Sequence, residues 1–182
     1  LYKENKRYQL AQPLFEQVFY LSKEVFGEQA PNTLIAMDNL ASVYEDQRLF
    51  KLAQPLKEQV LQLSQQVLGD KHPDTLIVMN NLASFYDAQE HYDLAQPLKE
   101  QVLQLNKQVL GDYHPNTLIA MNNLALLYQT TEQWDKATEI WRQMLRASNF
   151  YLERLLWGAG EKTRQAYLQQ QEFKRNNYLS FY

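Results

Sequence analysis

The sequence contains no cysteine, so disulfides, thiolate metal sites and cysteine nucleophiles are excluded, while the redox compartment is left open. Its five glycines form no phosphate-cradling loop, and its serines lie in no nucleophile elbow. A net charge of −3 gives no electrostatic footprint for nucleic acid or an anionic membrane. No apolar run approaches the length of a membrane-spanning helix, and the opening LYKENKRYQL does not resemble a signal peptide. The chain opens at Leu1 rather than Met, which implies a piece excised from a longer protein.

What the sequence does have is repetition. Phe26-Gly27, Leu68-Gly69 and Leu110-Gly111 stand 42 residues apart, as do Tyr2, Tyr44, Tyr86 and Tyr128, and Ala11, Ala53, Ala95 and Ala137. A fixed period in this range marks a solenoid, whose units bury their apolar faces only against their neighbours. Each unit reads as two helices. Met79, Leu82, Ala83 and Tyr86 share one face of a 3.6-residue period, with Pro73 in the opening turn where its missing N–H breaks no bond. A second helix begins near Tyr92-Asp93, carries Leu94, Leu98, Val102, Leu105 and Val109 along one stripe, and stops at Gly111. Pro97 is assigned to its opening turn. The short connector AQEHY implies an antiparallel pair.

Leu-Ala-x-x-Tyr, then an aromatic, then alanine three residues later resembles the tetratricopeptide repeat, whose usual period is about 34 residues. The 42-residue period, the loop L-G-D-x-H-P-x-T-L and the string N-N-L-A-x-x-Y resemble the kinesin light chain type of that repeat. The resemblance implies an all-α solenoid, a right-handed superhelix of antiparallel helix pairs over residues 1–147. Its parts would be a partial repeat 1–30, containing a lone second helix at about 8–26, then repeats 31–72, 73–114 and 115–147. After Ala147 the period fails, and residues 148–182 are expected to form a short helix, a break at Gly158-Ala159-Gly160 and a long final helix. Leu155, Leu156 and Trp157 are expected to cap the last repeat. This connector resembles the one that follows the repeats in bacterial TPR–CHAT proteins. That likeness implies a bacterial origin and a caspase-like domain downstream; a cytoplasmic location is also expected.

No chemistry emerges from the remaining polar residues. His72 and His114 occupy equivalent loop sites before proline, where the third equivalent is Ala30, so repetition explains their spacing better than a metal, which needs several convergent ligands. His91 has no local H-E-x-x-H partner. Glu58, Glu100 and Asp93 recur by repeat and read as a solvated helix face. The expectation is a protein without enzymatic activity, cofactor or metal.

Two adjacent asparagines in the middle of a helix are harder to dismiss, since a pair costs about 1 kcal/mol of helix propensity per repeat. With Met79 at zero, Asn81 lies at about 200°, beside Ile77 and Ser84, and Asn80 flanks the core stripe at about 100°. The corresponding residues are Ile35, Asp38, Asn39 and Ser42 before it, and Ile119, Asn122, Asn123 and Leu126 after it. Solvated faces are normally rich in lysine and glutamate; this one carries isoleucine, amides and small residues. In the repeat family the first helices line the concave groove, and an amide offers donors and an acceptor to an extended peptide backbone. In kinesin light chains the matching asparagine belongs to the surface that holds adaptor peptides, which points to Asn39, Asn81 and Asn123. Asp38, Glu45, Asp46 and Asp87 line or flank the stripe without a lysine or arginine there, so the expected partner is a neutral or basic extended protein segment, not nucleic acid or membrane. An inter-repeat amide ladder is the competing explanation. Two further alternatives are a regulatory arm of a larger protein and a structural scaffold that self-associates through its N-terminal end or its C-terminal helix. That helix carries Tyr167, Leu168, Phe173, Tyr178, Leu179, Phe181 and Tyr182.

Overall fold

The computed structural model describes residues 2–158 and Gln165, with side chains from Leu10 to Phe150 and at Leu152 and Gln165. Seven helices, α1 (Tyr2–Phe26), α2 (Pro31–Asp46), α3 (Phe50–Leu68), α4 (Pro73–Ala88), α5 (Tyr92–Leu110), α6 (Pro115–Thr130) and α7 (Trp134–Gly158), make up the regular structure of those residues. They belong to two compact units divided after Val109. In the first, α1 packs on α2, α2 on α3 and α3 on α4; in the second, α6 packs on α7.

The 42-residue motif explains the helix boundaries. Pro31, Pro73 and Pro115 each open a first helix. His72 and His114 are the N-caps of α4 and α6: each Nδ1 accepts the backbone N–H two residues on, at 3.2 Å. Ala30 precedes α2 without a side-chain cap. First helices end in a left-handed residue that is never glycine, Arg48 (φ 59°), Glu90 (φ 62°) or Glu132 (φ 60°). The following N–H then reaches back to Tyr44, Tyr86 or Tyr128 at 2.8, 2.9 and 2.7 Å, which is the Schellman closure. After α3, Gly69 adopts φ 87° and ψ 161°, a region essentially reserved for glycine.

Small residues let the helices approach. Ala41, Ala53, Ala83, Ala95, Ala125 and Ala137 are completely buried, next to Met37, Met79 and Met121. Thr33, Thr75 and Thr117 are also completely buried. Their hydroxyls donate to carbonyls of the preceding segment: Thr33 to Gly27 at 2.7 Å, Thr75 to Ser64 at 3.3 Å and Thr117 to Gly111 at 2.7 Å. Each threonine thus ties a first helix to the chain that leads into it and leaves its own buried hydroxyl satisfied.

Three expectations change. Pro97 lies inside α5 rather than in its opening turn, as Pro55 does in α3: α5 begins at Tyr92, as expected, and its first turn is complete before Pro97. The first helix does not begin near residue 8 but runs unbroken from Tyr2. Likewise α7 shows no break between 147 and 148; it continues to Gly158, because residue 153, where Gly27, Gly69 and Gly111 would recur, is a glutamate. The proposed capping side chains Leu155, Leu156 and Trp157, the residues of the Gly158-Ala159-Gly160 break beyond Gly158, and the apolar residues from Tyr167 to Tyr182 lie outside the described residues.

Candidate functional site

The stripe assigned to ligand contact is exposed. Ile35, Ile77 and Ile119 show 60%, 55% and 56% of their surface to solvent, and Leu126 is similarly open. Leaving more than half of each isoleucine in water forgoes about 1–2 kcal/mol of burial at each. In the first unit, α2 and α4 form the two walls of a cleft of about 230 Å³, with Ile35, Asp38 and Asn39 on one side and Ile77 and Asp74 on the other. Val60, Ser64 and Leu68 of α3 lie between them. The amide row does two things here. Asn39 is exposed, whereas Asn81 is half-buried and its Nδ2 donates to the Asp38 carboxylate at 3.4 Å, one rung between α4 and α2. That bond uses one of the two amide hydrogens, and its length makes it weak.

The other assigned residues are distributed as follows. Asn80 is half-buried; Ser84 is exposed; Ser42 donates to its own helix, at the Asp38 carbonyl, at 2.9 Å. On α6, in the second unit, Ile119, Asn122 and Leu126 are exposed and Asn123 is half-buried. Ile35, Asp38, Asn39 and Ile77 therefore share one cleft, Asn81 is tied to its edge through Asp38, and the α6 residues form their own surface.

Acidity is less widespread than the sequence implies. The buried Lys57 ammonium lies 2.9 Å from Glu45, and buried Lys99 pairs with Asp87. Two of the four carboxylates counted toward the groove are thus neutralised by the second helices. Nor is Glu58 simply solvated: it accepts the Tyr86 hydroxyl at 2.6 Å, as Glu16 accepts that of Tyr44 at 2.8 Å. Burial, with the hydrogen bond and charge of Glu16 behind it, pushes the Tyr44 hydroxyl up to about 12; burial and Glu58 raise Tyr86 further. The hydrogen bonds from Gln12 and then Tyr44 hold Glu16 below the usual carboxylate range. These pairings escaped sequence reasoning, although one signal was available. Residues 45 and 57 are Glu and Lys, 87 and 99 are Asp and Lys, and 129 and 141 are Gln and Trp, so acid and lysine are replaced together.

Among the described residues no cluster of histidine, aspartate and glutamate could hold a metal ion, and no helix is long and apolar enough to cross a membrane. The family profile described as "Tetratricopeptide repeat" matches residues 1–61, 39–108 and 79–149. Two crystal structures of a Podosopora anserina protein, assigned as a kinesin light chain with nearly identical TPR-like repeats, are similar to the chain. One, a single-substitution variant, has 28% identity over 83% of this chain and 71% of that one, with a TM-score of 0.73. The other has 27% identity over 96% and 85%, again with a TM-score of 0.73. BtubC (BKLC) from P. vanneervenii, at 17% identity over 81% of this chain and 58% of that one, shares the fold with a TM-score of 0.71. No curated protein matches the sequence.

Proposed function

We propose that this chain, which belongs to the tetratricopeptide repeat family, binds an extended segment of a partner protein along the exposed face of its first helices. Repeats of this family are generally protein–protein interaction modules, and the solved neighbours are of the kinesin light chain type. The observation that carries the finer assignment is the cleft between α2 and α4, where Ile35 and Ile77 remain in solvent beside Asn39 and Asp38. Apolar walls would hold side chains while amides exchange hydrogen bonds with the peptide backbone. Asn123, Asn122, Ile119 and Leu126 would offer the same chemistry on α6, in the second unit. A cleft already formed by packed helices spares ordering entropy, so micromolar affinity is expected. The module acts without cofactor or catalytic chemistry. The likeness of its connector supports a bacterial origin, and a cytoplasmic location is the accompanying proposal.

The Asn81–Asp38 bond favours a second assignment, in which the amides hold neighbouring first helices in register. A ladder accounts for Asn81, yet it gives no reason for the isoleucines. A peptide array probed with the 182-residue chain and with the triple variant Asn39→Ala, Asn81→Ala, Asn123→Ala separates the two. Loss of selected peptides at unchanged helicity supports ligand contact. Equal binding, or a large fall in melting temperature with no binding to lose, assigns the asparagines to the ladder.

A further inference from the structure

The geometry points to a specific register in the α2–α4 cleft: one bulky apolar side chain of the partner enters the pocket, and an adjacent lysine or arginine pairs with Asp38 and Asp74 at its mouth. The inference rests on the peptide-binding assignment above and specifies its chemistry. A cavity of about 150 Å³ lined by aliphatic and aromatic side chains accepts a benzene-sized group. The cleft here has about 230 Å³, bounded by Leu34, Val60, Leu68 and the two isoleucines, so a leucine or phenylalanine side chain fits.

The charge around it is one-sided. Asp38 and Asp74 both line the cleft, on opposite helices, and no lysine, arginine or histidine lines it. The Asn81 amide holds the Asp38 carboxylate from one side. Asp74 is mostly exposed, with the His72 ring nitrogen 3.7 Å from its carboxylate. Unlike Glu45 and Asp87, neither carboxylate is met by a buried lysine. The pair is also particular to this position in the array: 42 residues on, its equivalents are Asn80 and Asn116. An acidic segment would meet two carboxylates across a narrow cleft, whereas a cation would complement them.

The test uses the full 182-residue chain and three capped peptides of equal length, alternating Leu with Arg, Leu with Glu, and Ser with Arg. Affinity is measured by fluorescence anisotropy at moderate salt. The Leu/Arg peptide is expected to bind at least about tenfold more tightly than either control, the size of one or two charge pairs plus a buried side chain. Asp38→Asn with Asp74→Asn, which installs the residues found one repeat later, should abolish the preference for Arg over Glu. The control pair Asp70→Asn with Asp112→Asn, two exposed loop carboxylates, changes net charge equally and should leave the preference intact. Val78→Phe, at the lining of the pocket, should erase the preference for Leu over Ser while charge preference persists. Equal binding of the Leu/Arg and Leu/Glu peptides, both weakened by the triple asparagine variant, would overturn this register and leave the peptide groove standing. If no peptide distinguishes the wild-type chain from the triple variant, both proposals fail.

Discussion

Removing the acid of the Glu45–Lys57 pair should cost more than removing the base. Lys57 is only 4% exposed, with its ammonium 2.9 Å from Glu45 and 5.6 Å from the centre of the Phe85 ring. Phe85 is itself fully buried and meets Phe50 edge-on, ring centres 6.0 Å apart. Glu45→Gln keeps the shape and an acceptor oxygen but leaves the buried ammonium without a counter-charge. Breaking fully buried pairs costs about 3–5 kcal/mol. Because the Glu45 side chain is 31% exposed, part of that cost is screened, and about 2 kcal/mol is expected. Lys57→Met keeps the apolar stem, gives up the cation–ring attraction of about 0.5–1 kcal/mol, and returns Glu45 to water, for a net loss under about 1 kcal/mol. The joint change Glu45→Gln with Lys57→Trp copies the Gln129 and Trp141 combination and should fall below the sum of its single changes. Urea unfolding followed by circular dichroism reads this out. At unchanged slope, Glu45→Gln should move the midpoint by about 1 M and Lys57→Met by less than half of that. If Lys57→Met is the more damaging of the two, the lysine contributes as a packed stem, and the buried-charge reasoning is wrong.

Three further outcomes follow from local geometry. Gly69→Ala should destabilise by about 1–3 kcal/mol through its φ of 87° and ψ of 161° alone, since nothing lies within 4 Å of the added carbon; an unaltered urea midpoint would contradict this. Ala30→Asp should supply the cap that α2 lacks and raise stability by about 1 kcal/mol, measurable as an upward shift in melting temperature. The folded Tyr44 hydroxyl ionises near 12 rather than near 10, so its contribution is intact below pH 10 and lost as pH rises toward 12. The urea midpoint should therefore fall over that interval, and Tyr44→Phe should make the fall shallower, whereas an unchanged alkaline slope would exclude the Tyr44–Glu16 bond as its source.

Fold was legible because its determinants are local and repeated. Pro31, Pro73 and Pro115 open helices and Gly27, Gly69 and Gly111 follow their ends, both as backbone chemistry dictates. The first-helix ends were not legible from composition, since Arg48, Glu90 and Glu132 adopt a conformation normally signalled by glycine and are held there by tertiary closure onto the tyrosine carbonyls. Glu58 reads as a solvated charge because a sequence shows a side chain's charge but not the hydroxyl it will meet 28 residues away. In the candidate site, the helical period singled out the isoleucines that turn out to be exposed. It could not reveal that Asn81 bonds Asp38 or that Glu45 and Asp87 are neutralised, because those partners lie 12 to 43 residues away.

The claim that the first-helix face binds a peptide has a direct test in isoleucine methyl NMR. The chain holds four isoleucines, Ile35, Ile77 and Ile119 on the first helices and Ile140 on α7, so four resonances can be assigned by single substitution to valine. Titration with an array-selected peptide should shift Ile35 and Ile77 saturably, leaving Ile140 in place as an internal reference. Saturable binding that moves Ile140 while Ile35 and Ile77 stay fixed would place the ligand elsewhere and contradict the groove assignment.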